Sequence, residues 1–181
     1  MPQRSLTENL TGDNVEKKNI VLCGFMGCGK TTVGKIIAKA KNMQCIDMDT
    51  YIENEQEKSI SDIFKEYGEE YFRDLEFNAC LKLSSLTNTV ICLGGGALTF
   101  KRNADALRKT SLVVFMDVSP ETVEIRLAGD NTRPLLQKKN KHAEISALME
   151  KRYPLYKEFS DVTIDANADA ETVAANILKL F

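Results

Sequence analysis

The sequence lacks the features that would suggest a membrane or a nucleic acid as its partner. Its longest strongly apolar run, Leu112 to Met116, is far too short to span a bilayer. Lys and Arg (24) nearly balance Asp and Glu (26), so there is no basic surplus to attract nucleic acid or an anionic membrane. We therefore expect neither of these as a partner.

Patterns typical of disulfide-rich, zinc-binding or secreted proteins are also missing. The 5 cysteines form no C-x-x-C pair and leave an odd one over, which argues against a disulfide framework and against a zinc site. The single histidine, His142, lies close to several lysines in the sequence, and we assign it no role. Residues 1–18 have no hydrophobic stretch of the kind found in secretory signals. We expect a cytoplasmic protein.

Short β-rich runs alternate with helical patterns along the rest of the chain. The runs with strand character are 19–24, 43–49, 89–96, 111–117 and 161–166. Apolar residues spaced by three or four positions predict helices between them, at about 33–40, 72–83, 120–129, 145–154 and 170–180. This alternation is typical of a parallel sheet covered by helices on both faces, with ligands beyond the carboxyl ends of the strands.

The length of 181 residues suits one domain. We expect a polar N-terminal arm over residues 1–18 and a single domain over 19–181, acting as a monomer. The polar segment 129–144 has no apolar period, and we expect it to form a mobile lid.

A phosphate-binding motif directly follows the first predicted strand. The sequence GFMGCGKT, from Gly24 to Thr31, matches G-x-x-x-x-G-K-[ST] and leads into a helix. In this motif backbone N–H groups surround phosphate oxygens, the lysine reaches the β- and γ-phosphates, and the hydroxyl ligates Mg²⁺. The guanine-reading N-K-x-D is missing, so ATP is the expected nucleotide. The expected contacts in this loop are Gly27, Cys28, Gly29, Lys30, Thr31 and Thr32.

Two further features near this motif raise questions of charge and reactivity. Asp47 and Asp49 stand one residue apart at the end of the second predicted strand, where residues i and i+2 point to the same side. We expect the two carboxylates to face one space, in which a dication and Lys30 on one side and two arginines on the other would offset their repulsion. Cys28 is a candidate reactive thiol, because a helix N-terminus and a neighbouring lysine favour the thiolate.

Six segments together resemble the shikimate kinase family in their order and spacing. They are GFMGCGKTTVGK (24–35), the pair Asp47/Asp49, EYFRDLE (70–76), LGGGALT (93–99), NTRPLL (131–136) and ALMEKRYPLY (147–156). The resemblance runs from about Asn19 to the C-terminus. It implies a P-loop NTPase-type three-layer α/β/α fold with a five-stranded parallel sheet. It also implies Mg²⁺-dependent transfer of the ATP γ-phosphoryl group to the 3-hydroxyl of shikimate, giving shikimate 3-phosphate and ADP in aromatic amino-acid biosynthesis.

The resemblance implies roles on the nucleotide side of the site. Lys30 and Arg133 would be catalytic, and Arg133, in the lid, would neutralise charge on the transferring group, an effect of about a thousandfold in rate. Thr31 would bind Mg²⁺ directly, and Asp47 would bind it through a water molecule. Arg126 would stack on the adenine.

On the acceptor side, the resemblance assigns the carboxylate of shikimate to Arg73 and Arg152, whose planar forks suit it. Asp49 would accept hydrogen bonds from the attacking hydroxyl and act as a catalytic residue. The glycines Gly94, Gly95 and Gly96 would let the backbone approach the substrate. Glu76 would support Arg73.

Simpler interpretations of several of these residues stay open at this point. Arg73 has Glu69 four positions before it and Glu76 three positions after it, so a surface ion pair explains it from spacing alone. Arg152 could pair with a neighbouring glutamate, Arg126 could be a solvated cation at a helix end, and the three glycines could form a plain turn.

Two other functions compete with this hypothesis. A gluconate kinase-like enzyme would share the phosphate loop, but it would carry a His-Pro soon after the acidic pair, where this chain has TYIE. A nucleotide-binding regulatory module without turnover would be expected to have lost Asp49, Arg73, Arg133 or Arg152, and all of them are present. We therefore favour an enzyme.

Overall fold

A parallel five-stranded sheet organises the protein in this computed structural model, which describes residues 17–128 and 140–181. The strand order is β2-β3-β1-β4-β5, and every neighbouring pair is parallel. The strands are β1 (Asn19–Cys23), β2 (Gln44–Asp47), β3 (Thr89–Cys92), β4 (Ser111–Asp117) and β5 (Val162–Asp165). All five predicted strands are thus confirmed, although the third ends at Cys92 and not at residue 96.

Helices cover both faces of this sheet. They are α1 (Lys30–Lys41), α2 (Met48–Gln56), α3 (Ile60–Ser84), α4 (Lys101–Arg108), α5 (Pro120–Arg126), α6 (Lys141–Phe159) and α7 (Ala170–Leu178), with a 3₁₀ turn over Ala97–Thr99. Alternate residues of β1 enter different cores: Val21 packs in the core under α2, α3 and α4, whereas Ile20 packs in the core under α1 and α7. The three-layer α/β/α class predicted from the sequence is confirmed.

The register of the sheet brings the functional segments to one edge. Asp47, the last residue of β2, is the partner of Cys92, the last residue of β3. Cys92 in turn is the partner of Leu22 in β1, one residue before that strand ends. The phosphate loop after β1, the acidic residues after β2 and the glycines after β3 therefore leave the sheet side by side.

Several predicted boundaries were wrong. The run 43–49 is not all strand, because α2 begins at Met48; α2 and α4 were not predicted. The helix expected to stop near Pro154 continues to Phe159, because Tyr156 and Phe159 bury themselves in the core beyond the proline. Packing of that apolar face outweighs the local cost of the proline.

The arm and the lid expected from the sequence lie largely outside the described residues. Of the N-terminal arm, only residues 17 and 18 are described. Of the lid expected over 129–144, the structure describes Asn140, which caps α6, and the first turn of that helix, so these last residues are helical. Within the described ranges, no helix has the length and apolarity needed to cross a membrane.

Candidate active site

The phosphate loop turns sharply between β1 and α1. Gly24 has φ 141°, and a Cβ added there would lie 2.7 Å from the carbonyl oxygen of Met116, so only glycine fits. Gly29 precedes α1 with φ 93°, a left-handed conformation that also favours glycine. The loop therefore ends on the N-terminus of α1, where free N–H groups and the helix dipole favour an anion.

Lys30 places its ammonium group inside this loop. Its Nζ donates to the carbonyl oxygens of Gly24 and Phe25, both at 2.9 Å, and lies 3.5 Å from the Sγ of Cys28. The Cys28 side chain packs in the core with 1% of its surface exposed. This burial argues against the reactivity expected of the Cys28 thiol.

The two acids do not both lie on a strand, as the sequence pattern had suggested, because the strand ends at Asp47. Asp47 is the N-cap of α2: its Oδ1 accepts the N–H groups of Asp49 at 3.1 Å and Thr50 at 3.3 Å. Asp49 lies in the first helical turn rather than on a strand. A helix N-terminus tolerates both charges, because its dipole and unpaired N–H groups stabilise carboxylates. The other oxygen of Asp47 accepts the hydroxyl of Thr31 at 2.8 Å.

The three glycines after β3 allow three of the predicted site side chains to approach the backbone closely. A Cβ built on Gly94 would lie 2.5 Å from the Oδ1 of Asp49. Cβ atoms built on Gly95 and Gly96 would lie 3.6 Å from the Nη1 of Arg152 and 2.9 Å from the Nη1 of Arg73, respectively. The structure thus brings Asp49, Arg73 and Arg152 around one short stretch of bare backbone, directly beside the phosphate loop.

Arg73 is held by carboxylates from its own helix. Its Nη1 donates to Glu76 at 2.7 Å, and its Nε and Nη2 donate to Glu69 at 3.2 and 2.8 Å. The ion pairs predicted from spacing are therefore present, but the guanidinium also lies against Gly96 and is 17% exposed. Burial raises the pKa of the Glu76 carboxyl, and the hydrogen bond from Arg73 acts in the opposite direction. Glu76, 1% exposed, anchors Arg73 from the interior.

Arg152 projects from α6 towards the same glycines. Its Nη1 donates to the carbonyl oxygen of Gly95 at 3.2 Å, and its guanidinium carbon lies 6.0 Å from the centre of the Phe25 ring in the phosphate loop. Tyr156, one helical turn further on, donates its hydroxyl to the same carbonyl oxygen. Tyr156 was not among the predicted site residues, although its position four residues after Arg152 indicates that the two share a helix face.

Arg126 joins the phosphate loop to the segment after β5. Its Nη1 donates to the carbonyl oxygens of Gly27 at 3.4 Å and Cys28 at 3.2 Å. Its Nη2 donates to those of Asn167 at 3.4 Å and Ala168 at 2.7 Å. The simpler interpretation, a solvated cation at a helix end, does not describe these contacts. Arg133 lies outside the described residues.

The fold and this edge of the sheet define a P-loop phosphotransferase. The phosphate loop, the acid at its side and the paired arginines are the parts that transfer from a nucleotide to a small anionic acceptor requires. Comparisons with known proteins identify the family.

The family model for shikimate kinase matches residues 26–181 of the chain. A shikimate kinase from Caldanaerobacter subterraneus subsp. tengcongensis is 40% identical over 165 residues, covering 91% of this chain and 96% of the relative. One from Caldicellulosiruptor saccharolyticus is 44% identical over 140 residues, covering 77% and 81%. A solved shikimate kinase from Acinetobacter baumannii, in complex with shikimate, has a TM-score of 0.84 at 36% identity, covering 90% of this chain and 92% of that one. The chain belongs to the shikimate kinase family.

Proposed function

We propose that the protein transfers the γ-phosphoryl group of ATP to the 3-hydroxyl of shikimate, producing shikimate 3-phosphate and ADP for aromatic amino-acid biosynthesis. The observation that carries this proposal is the convergence of Asp49, Arg73 and Arg152 on the glycines 94–96, beside the phosphate loop. The complex of the A. baumannii relative with shikimate supports the same acceptor.

The acceptor site recognises the carboxylate and the hydroxyl groups of shikimate. Arg73 and Arg152 bind the carboxylate with their planar donor forks, and Glu76 keeps Arg73 in place. The backbone of Gly94, Gly95 and Gly96 donates to substrate oxygens. Asp49 accepts a hydrogen bond from the attacking hydroxyl and orients it towards the phosphoryl group.

The nucleotide side is formed by residues that suit phosphates and a hard cation. Lys30 and the loop N–H groups, from Gly27 to Thr32, bind the phosphates. Arg126, which joins the phosphate loop to the segment after β5, stacks on the adenine. Thr31 and Asp47 fit Mg²⁺, because a hydroxyl and a carboxylate oxygen stand 2.8 Å apart beside the loop and Mg²⁺ prefers such ligands. When bound, Mg²⁺ neutralises charge on the phosphates.

Arg133, in the segment 129–144, closes over the phosphates and stabilises the charge of the group in transfer. The domain over 19–181 acts as a monomer in the cytoplasm, a compartment consistent with cysteines that form no disulfide pattern in the sequence.

A direct assay tests the proposed function. ADP release is measured with purified protein and MgATP in four parallel reactions, with shikimate, gluconate, AMP or no acceptor. We expect the rate of ADP release to exceed the rate without an acceptor only in the reaction with shikimate, and we expect the product to contain one phosphate ester. Release only with gluconate or AMP would overturn the assignment of the acceptor, and equal release in all four would indicate an ATPase.

We expect Arg73→Lys and Arg152→Lys each to raise the KM for shikimate by about tenfold to a hundredfold, since a charge-assisted hydrogen bond is worth about 1.5–3 kcal/mol. Lysine keeps the charge but loses the bidentate fork. The KM for ATP should change little. Arg108→Lys is the matched control, because Arg108 pairs with Asp161 at 3.1 Å, away from the site. Equal effects on both KM values would instead assign the two arginines to the fold or the lid.

We expect Asp47→Asn to raise the Mg²⁺ concentration needed for half-maximal rate, because an amide oxygen is a weaker hydrogen-bond acceptor than a carboxylate for a water bound to the cation. Asparagine is as good an N-cap as aspartate, so α2 should keep its start. The measurement is the rate over a Mg²⁺ titration at a fixed total concentration of ATP and saturating shikimate, with recovery expected at high Mg²⁺. A rate that is low but independent of Mg²⁺ would contradict the metal role.

A further inference from the structure

We propose that Tyr156 is a positioning residue of the acceptor site, whose hydroxyl fixes the Gly95 carbonyl and thereby orients both the glycine backbone 94–96 and Arg152. This inference rests on the proposed function.

The first observation is that one carbonyl oxygen receives two donors from one helix. The hydroxyl of Tyr156 and the Nη1 of Arg152, at 3.2 Å, both donate to the oxygen of Gly95. A carbonyl oxygen has two lone pairs, so these two donors use its full capacity. The residues lie one turn apart on α6, which means that a single rigid element controls the direction of this peptide.

The second observation is that the phenol itself is fixed. Tyr156 is 2% exposed, and its ring packs against Phe115 in β4 with the ring centres 5.1 Å apart. Burial raises the pKa of the Tyr156 hydroxyl, so the group keeps its proton at neutral pH and remains a donor. A buried phenol usually needs a polar partner, and here that partner is the Gly95 carbonyl.

The third observation concerns the position of the Gly95 peptide and the N–H group that this peptide orients. A Cβ built on Gly95 would lie 3.8 Å from both the carbonyl oxygen of Gly24 and the N of Met26, so Gly95 sits between α6 and the phosphate loop. Glycine backbone has more freedom than any other, and its direction must be set by external contacts. In a planar trans peptide the carbonyl and the following N–H point in opposite directions. Holding the Gly95 carbonyl towards α6 therefore sets the direction of the Gly96 N–H, one of the proposed donors to the substrate.

The test is Tyr156→Phe, which removes one oxygen atom and keeps the ring. We expect the Kd for shikimate, measured by calorimetry, and the KM for shikimate to rise together by about twofold to tenfold, the range of one hydrogen bond. The KM for ATP should not change. Tyr153→Phe is the matched control: Tyr153 lies on the same helix with its ring 5.6 Å from that of Phe115, but its hydroxyl faces Asp117 at 3.3 Å. The control should keep the Kd of the unmodified protein.

A double-mutant cycle tests the shared carbonyl. If Tyr156 orients Arg152 through Gly95, the effect of Tyr156→Phe should be smaller in an Arg152→Lys background, because that background has already lost part of what Tyr156 positions. Strict additivity of the two substitutions would overturn the proposal, as would an unchanged Kd for shikimate in Tyr156→Phe. A Tyr153→Phe variant with the same increase in Kd would also overturn it, and so would a Tyr156→Phe variant that no longer folds. An unmodified protein that does not phosphorylate shikimate would refute the proposed function instead.

Discussion

Asp49→Asn is expected to lower kcat by about 10²–10⁴-fold, the range of a general-base contribution. The loss should lie towards the lower end of this range, because phosphoryl transfer through a loose transition state depends only weakly on a general base. The amide cannot take a proton and presents an N–H donor to the attacking hydroxyl. Binding of MgATP should be normal, because Asp49 lies against Gly94 rather than in the phosphate loop. Single-turnover kinetics with saturating shikimate and MgATP measure the effect.

Two comparisons sharpen this prediction. Asp49→Glu keeps the charge and moves the carboxylate by about a bond length, and a misplacement of about 1 Å can cost about 10²-fold in rate. Asp105→Asn, on the exposed face of α4 where Asp105 pairs with Lys101 at 2.6 Å, should behave as the unmodified protein. Turnover within a few-fold of the unmodified rate in Asp49→Asn, or recovery of that variant by added Mg²⁺, would contradict the proposed division between Asp49 and Asp47.

The three central strands of this fold were predictable because a parallel sheet buries both faces of its central strands. Such strands read as continuous apolar runs, and β1, Asn19–Cys23, is buried at every residue. The phosphate loop was predictable for a different reason: its glycines and lysine stand at fixed spacing between a strand and a helix. Both signals are local, so a single sequence contains them.

The acidic pair shows where local patterns fail. From the sequence alone, Asp47 and Asp49 continue an apolar strand, and the two-residue period of a strand puts them on one side. In the structure Asp47 accepts two backbone N–H groups and starts α2 instead. An aspartate that follows a strand is also a good N-cap, and this competing signal was present in the sequence.

The acceptor site required information that no local pattern contains. The spacing of Arg73 with Glu69 and Glu76 predicted ion pairs, and these exist. What spacing could not show is that α3 delivers the same guanidinium to Gly96, because that contact joins two segments of the chain through the tertiary fold. The resemblance to a family supplied the grouping of the segments, and the roles of the individual residues stay predictions.

Gly94→Ala is expected to lower kcat by about 10²-fold, because the new methyl group would displace the carboxylate of Asp49 and misplacement by about 1 Å has this cost. A Cβ at Gly94 would stand 2.5 Å from the Oδ1 of Asp49, closer than real Cβ contacts allow, so the carboxylate must move. The backbone conformation does not favour glycine here as it does at Gly24, so the fold should survive.

Alanine substitutions at the two neighbouring glycines test whether the effect of Gly94→Ala comes from the displaced carboxylate of Asp49. A Cβ on Gly95 would meet Arg152 at 3.6 Å, an ordinary contact, so Gly95→Ala should have the mildest effect of the three. A Cβ on Gly96 would lie 2.9 Å from the end of the Arg73 side chain, so Gly96→Ala should mainly raise the KM for shikimate. Steady-state kinetics of the three variants, with thermal unfolding as the check on the fold, measure this order. If Gly94→Ala keeps its kcat while Gly95→Ala loses it, then the close approach of Asp49 to bare backbone is not what the reaction requires.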